Sequence, residues 1–171
     1  MQKTGVSRFI SFRPACRILA EMSERTLIII KPDGVQRRLI GNVISRFEEQ
    51  GLKIIAAKFT KISIETAQEH YFAHRGKYFF DRAVKYLCDS PVLLLILQGT
   101  DAVQTCREMV GATFASDAAT GTIRGDYGAV GTNYNIVHGS DSVESAAHEI
   151  NLYFKDDEIF DYKIEEEKWL A

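Results

Sequence analysis

Apolar and polar residues follow one another along this chain in blocks that change period, and the blocks mark the elements. Thr26–Ile30 is a short isoleucine-rich run stopped by Pro32, which predicts a buried strand. Over Gly41–Gln50 the period becomes helical. Ile40, Val43, Ile44 and Phe47 share one face and Gly51 supplies the stop. Leu52–Thr60 predicts a second strand. Ser63 is placed to cap a helix from Ile64 to about Tyr71, and Phe79–Asp89 predicts another that ends before Pro91. Val92–Gln98 is a strongly apolar third strand, and Asp101–Met109 is a helix that Gly111 closes. Residues 112–134 are rich in glycine and threonine with little periodicity, which predicts one long functional loop. Asn135–His138 predicts the fourth strand. Ser142–Phe154 is the most regular helix, with Val143, Ala146, Ala147, Ile150 and Phe154 on one face. The tail from Lys155 is irregular and charged, with Trp169 as its expected anchor.

This order, β-α-β, an extra helix, then β-α-β, predicts an α/β (α+β) chain. The expected architecture is a ferredoxin-like split β-α-β sandwich, a four-stranded, mainly antiparallel sheet covered by helices. The 171 residues, 46% apolar and 26% charged, suit one domain with a substantial core. Net charge is -2 and no basic block occurs, which argues against nucleic acid as a partner and leaves room only for small nucleotides. No apolar stretch approaches spanning length, so no membrane partner is expected. Cys16, Cys88 and Cys106 are widely spaced and read as reduced thiols. His70, His74 and His148 stand in no metal-ligand pattern, and the last two are expected at the surface. Residues 1–21 carry Lys3, Arg8, Arg13 and Arg17 with no acid before Glu21. They are expected to form a disordered extension ahead of a domain over 22–171 in a cytoplasmic protein. An organellar transit peptide is the alternative.

Candidate chemistry gathers around one histidine. In Asn135-Ile136-Val137-His138-Gly139-Ser140-Asp141-Ser142, an imidazole ends an extended segment beside a helix start. Helix N-termini attract phosphate, and a neutral imidazole is a competent nucleophile near pH 7. Lys31-Pro32-Asp33-Gly34-Val35 follows the first strand. Gly121-Thr122-Ile123-Arg124-Gly125-Asp126 sets an arginine among glycines, and Arg107 lies in a helix. One imidazole, one lysine and two arginines suit a site that handles polyphosphate. Neither a P-loop nor a Rossmann fingerprint is present, so no glycine-rich phosphate loop is available.

Together these residues resemble the nucleoside diphosphate kinase family, from about Glu24 to Trp169. The motifs Lys31–Gln36, Gly121–Asp126 and Asn135–Ser145 stand in the family's order and near its spacing. The resemblance implies ping-pong transfer of the γ-phosphate of a nucleoside triphosphate such as ATP to a nucleoside diphosphate, with a pros-phosphohistidine on His138. It implies that Lys31 and Asn135 contact the ribose hydroxyls, with Lys31 reaching toward the phosphates. Arg107, Arg124 and Thr113 match phosphate ligands. Tyr71 and Phe79 fall on nucleotide-binding positions, Phe79 stacking on the base. Ser140 and Glu149 match partners that orient the histidine. Asp141 would hold a water of Mg2+, whose main ligands would be nucleotide phosphates. A homo-oligomer is implied, a hexamer rather than a tetramer.

Two departures stand out. Arg124 to His138 is one residue longer than usual, with the insertion near Ala129–Tyr134, so the wall opposite the base is left unassigned. Phe114-Ala115 stands where the family usually has proline, in a loop that contributes to subunit contacts, which predicts an assembly less resistant to denaturant. Two other readings are weaker. An inactive regulatory member conflicts with every matched position keeping its expected residue. A phosphorelay histidine would sit on an exposed helix face, whereas His138 ends a strand.

Overall fold

The computed structural model describes residues 23–132 and 134–164. The expectations for residues 1–21 and for the Trp169 anchor lie outside them. Four strands form one sheet: β1 (Ser23–Ile30), β2 (Lys53–Thr60), β3 (Val92–Thr100) and β4 (Val137–Gly139). Their order is β2-β3-β1-β4, and all three pairings are antiparallel. This is the ferredoxin-like split β-α-β arrangement, with no parallel pair among the described strands. β1 and β3 occupy the centre and carry the longest apolar runs.

Successive residues of a strand face opposite sides of the sheet. Leu27 and Ile29 therefore enter one core, with Ile55, Leu94 and Ile96. Ile28 and Ile30 enter the other, with Leu95 and Leu97. All four β1 residues are fully buried, because helices cover both faces. The first core is closed by α3 (Ile64–His70), α4 (Phe80–Cys88) and α7 (Val143–Tyr153), through Ala67, Val84, Leu87, Ile150 and Tyr153. The second is closed by α2 (Ile40–Glu49) and α5 (Ala102–Val110), through Val43, Phe47, Ala102, Cys106 and Val110.

Local signals account for most boundaries. Ser63 Oγ accepts the Thr66 N–H at the start of α3, and Ser142 Oγ accepts that of Ser145 at the start of α7. Gly111 ends α5 with φ 82°, a left-handed value that favours glycine. Two short helices were absent from the pattern. α1 (Pro32–Gln36) turns the chain directly after β1, and α6 (Ile123–Tyr127) interrupts what the sequence predicts as a single loop. Each spans five residues, too few to show a helical stripe. α6 depends on its cap, Thr122 Oγ accepting the Gly125 N–H, and on Arg46 of α2, which bonds the Gly121 carbonyl and Asp126.

β4 begins two residues later than predicted, because Ile136 is left-handed at φ 65°. A β-branched residue there is strained by about 1–3 kcal/mol, so its surroundings must hold it. Its N–H donates to Asp33 Oδ2 at 3.1 Å, and its carbonyl accepts the Lys31 N–H at 2.8 Å. Gly34 permits the crossing: a Cβ there would stand 2.9 Å from Ile30 Cγ2 and 3.1 Å from the Ile136 carbonyl oxygen.

Candidate active site

The nucleophile candidate is set by the edge strand. His138 pairs with Ile29 across β1–β4, and its side chain remains 20% exposed. Its Nε2 lies 3.0 Å from both carboxylate oxygens of Glu149, which projects from α7. Burial alone would push the Glu149 carboxyl up. The His138 hydrogen bond, the nearby imidazoles and Ser140 outweigh it and hold the group below its ordinary value. An ionised carboxylate only accepts, so Nε2 carries the ring proton. In a neutral ring the lone pair then sits on Nδ1, away from Glu149. Ser140 completes the support. Its Oγ donates to Glu149 Oε2 at 2.6 Å and accepts the Leu27 N–H at 3.2 Å, with no solvent exposure.

The cations sit nearby with few counter-charges. Lys31 ends β1, and its Nζ donates to Asn135 Oδ1 at 2.8 Å. Burial first, and the Arg124 charge second, push its pKa down to about 7, while Asp33 partly opposes this. Asn135 in turn donates to the Thr113 carbonyl at 2.9 Å. In this state Asn135 thus links Lys31 to the loop after α5, with both ends of its amide occupied. Arg124 is buried on α6. Its Nη1 donates to the Gly111 carbonyl at 3.0 Å and its Nη2 to the Val137 carbonyl at 2.8 Å, while Nε has no hydrogen-bond partner among the described residues. Burial and the Arg107 charge lower its pKa to about 10. The Arg107 side chain, exposed on α5, makes no hydrogen bond or ion pair among the described residues, while its carbonyl accepts the Gly111 N–H. A hydrogen bond from Ser145 first, and the charges of Arg107 and His138 last, hold the Asp141 carboxyl below its ordinary value at the start of α7. Lys31, Arg124 and Arg107 thus repel one another with little acid between them, an arrangement that a bound polyanion relieves.

A cavity of about 760 Å³ opens beside these groups. Lys31, Tyr71, Phe79 and Thr113 line it, whereas His138, Arg107, Arg124 and Asn135 stand off its wall. The void is large enough for the greater part of a small ligand, and His138 is not among its lining residues. Phe79 is half-buried, with Tyr78 edge-on at 5.5 Å and His74 at 5.4 Å. Tyr71 packs edge-on to His70, and burial pushes its hydroxyl up to about 12. His74 is half-buried rather than fully at the surface, because it packs on both aromatics; His148 is exposed as expected.

Some residues of this region carried no sequence signal. His70 lies edge-on to the His138 ring, 4.6 Å between centroids, and 3.8 Å from Glu149. Burial, then the charge of His138, lowers its pKa to about 3. Its adjacency to Tyr71 was visible, but its contacts join α3 to β4 and α7 across the fold. Tyr86 donates to Asp33 and packs against Tyr134 at 5.1 Å, and both rings line the cavity. Tyr134 is the last residue of the stretch that holds the insertion, and it gives the cavity a second aromatic side beside Tyr86.

The nucleoside diphosphate kinase family model matches residues 24–159. A nucleoside diphosphate kinase of Pyrococcus furiosus is 53% identical over 141 residues, covering 81% of this chain and 88% of that protein. One from Staphylococcus epidermidis is 48% identical over 147 residues, covering 86% and 98%. Among solved structures, a halophilic nucleoside diphosphate kinase from Halobacterium salinarum in complex with CDP superposes with a TM-score of 0.84 at 44% identity, covering 87% of this chain and 99% of that one. A transition state mimic of the Borrelia burgdorferi enzyme with bound vanadate and ADP gives 0.83 at 34% identity, covering 88% and 99%. By its sequence over this length, and by its fold, the chain belongs to the nucleoside diphosphate kinase family of phosphotransferases.

Proposed function

We propose that the chain moves the γ-phosphate of a nucleoside triphosphate to a nucleoside diphosphate in two steps through His138. The observation that carries the reading is the Glu149–Nε2 contact, which leaves the Nδ1 lone pair for attack. In the first step Nδ1 forms a bond to the γ-phosphorus while the bond to the β,γ-bridging oxygen breaks, releasing the diphosphate. In the second step a terminal oxygen of another diphosphate attacks the phosphorus and the P–N bond breaks. Glu149 keeps the Nε2 proton in place and offsets the positive charge that the ring gains as its Nδ1 is phosphorylated. Phosphoryl transfer spreads charge over the equatorial oxygens, so positioning and electrostatics do most of the catalysis. Arg107, Arg124 and the Thr113 hydroxyl meet the phosphates, and Lys31 reaches toward them. Lys31 and Asn135 exchange their mutual bond for the ribose hydroxyls. Tyr71 and Phe79 contact the nucleoside, Phe79 by stacking on the base, which tolerates different bases.

Mg2+ would neutralise polyphosphate charge, held mainly by the phosphates themselves, with Asp141 holding one of its waters. The single carboxylate of Asp141 beside Arg107 fits that indirect role better than direct ligation. We also propose a homo-oligomer, a hexamer rather than a tetramer. The exposed side chains of Phe59, Ile64, Phe72 and Phe160 support self-association. The unpaired thiols Cys88 and Cys106 support a cytoplasmic location.

His138→Ala is the direct test. Labelled ATP is expected to leave an acid-labile phosphate on the parent chain and none on the variant, with transfer abolished and the fold retained. Substantial exchange by a clean preparation of the variant contradicts the reading.

A further inference from the structure

His70 joins His138 and Glu149 at the contact that orients the His138 ring, and phosphotransfer as proposed gives His70 no part. One ligand atom from each lies within 4.8 Å of the others. Glu149 Oε1 is 3.0 Å from His138 Nε2 and 3.8 Å from His70 Nδ1. The His70 side chain is 1% exposed, yet its Nδ1 has no hydrogen-bond partner among the described residues. Buried polar atoms ordinarily find partners, so this nitrogen calls for an explanation.

We propose that these three side chains form a site for a divalent transition-metal ion of the zinc type, and that filling it switches phosphotransfer off. Two imidazoles and one carboxylate, with a fourth position open, form a donor set that zinc takes readily. Bonds of about 2.0–2.1 Å in tetrahedral geometry set ligand atoms about 3.3 Å apart. The two distances to Glu149 fall on either side of that value and the third pair lies within 4.8 Å, so the side chains must draw together around an ion. His70 Nδ1 gains its missing partner, and Ser140 continues to hold the other Glu149 oxygen. Magnesium prefers oxygen donors and does not compete here.

The switch follows from the histidine tautomer. An ion on Nε2 uses the lone pair there, so the ring proton moves to Nδ1. Nothing is oxidised or reduced and no proton is lost overall. The nitrogen that attacks phosphorus then carries a proton in place of its lone pair. The inhibition rests on the phosphotransfer reading of His138, whereas the binding does not.

The test uses the full chain, freed of metal with a chelator, and Co2+ as a coloured stand-in for zinc. Without nucleotide, one Co2+ per chain is expected to give the visible absorption of a four-coordinate ion, and one equivalent of Zn2+ to remove it. With excess Mg2+ and nucleotides, Zn2+ is expected to inhibit transfer, reversibly on chelation. His70→Gln should lose the cobalt band and need at least tenfold more Zn2+ for half-inhibition. His70→Cys, which restores a ligand atom, should keep tight binding and add a sulfur-to-cobalt band. Absence of the band in the parent chain overturns the proposal without any variant, as does equal binding by His70→Gln. Lost binding with unchanged inhibition in His70→Gln overturns the switch. A chain with no phosphotransfer at all refutes the reading of His138, while the cobalt band still decides the metal site.

Discussion

Lys31 shows how the site trades stability for charge. Its ammonium is buried beside Arg124, and its pKa falls from 10.5 to about 7. Between those values the unfolded chain holds a proton that the folded chain does not, so stability rises with pH across that window. Below about pH 7 both states are protonated and the penalty is fully present. Lys31→Met should therefore raise the melting temperature of the unliganded protein at pH 6–7, flatten its rise toward pH 10, and cut transfer by more than tenfold. Thermal melts over pH check the first two, and a transfer assay with ATP and a nucleoside diphosphate checks the third. The arginines divide differently. Arg107 has no described partner to lose, so Arg107→Ala should slow transfer at least tenfold with an unchanged melting temperature, since a hydrogen bond to a charged group contributes about 1.5–3 kcal/mol. Arg124 ties the Gly111 and Val137 carbonyls together, so Arg124→Ala should lose both transfer and stability. Sequence alone predicts the same kinetic loss for both arginines, and only the carbonyl contacts separate them.

At the scale of elements, β4 is three residues long and depends on its neighbours for position. Ser140 joins it to β1 and α7 at once, so Ser140→Ala should strip the Leu27 N–H of its hydroxyl acceptor and loosen Glu149. About 1–3 kcal/mol of stability should go with an unsatisfied buried group, visible as a lower urea midpoint. Transfer should fall through the rate constant more than through KM, because no substrate contact is removed. The elements that sequence revealed are those with enough turns or enough consecutive apolar residues to show a period: β1 to β3, α2 to α5 and α7. α1 and α6 were hidden because a cap and distant side chains define them. Lys31, Arg124, Asn135 and His138, the candidate site residues, stand in recognisable motifs, whereas Arg107 shows in sequence only as an arginine in a helix. His70 and Tyr86 were not legible, since their roles arise from contacts that no local spacing records. The late start of β4 also had no local signal, because isoleucine rarely takes a positive φ.

For the whole molecule, the described end of the chain packs against β2. Phe160 N–H donates to the Ile55 carbonyl, Tyr162 Oη to the Ile54 carbonyl, and Lys53 Nζ to the Tyr162 carbonyl. That edge is partly covered, while Phe59, Ile64 and Phe72 remain open. Light scattering at micromolar concentration is expected to give a mass several times 19.3 kDa. Ala115→Pro, which restores the residue usual in the family, should raise the urea midpoint of the assembly. A monomer, or a midpoint that does not move, contradicts these expectations. The left-handed joint at Ile136 has one more consequence. The inserted residue lies upstream of it, and the joint is clamped on both sides, by Asp33 at its N–H and by Lys31 at its carbonyl. A change of length over residues 129–134 is absorbed before it reaches His138. The cavity wall at Thr132 and Tyr134 can therefore change over generations while the His138 ring keeps its place, so that the shape of the void evolves independently of the histidine beside Glu149.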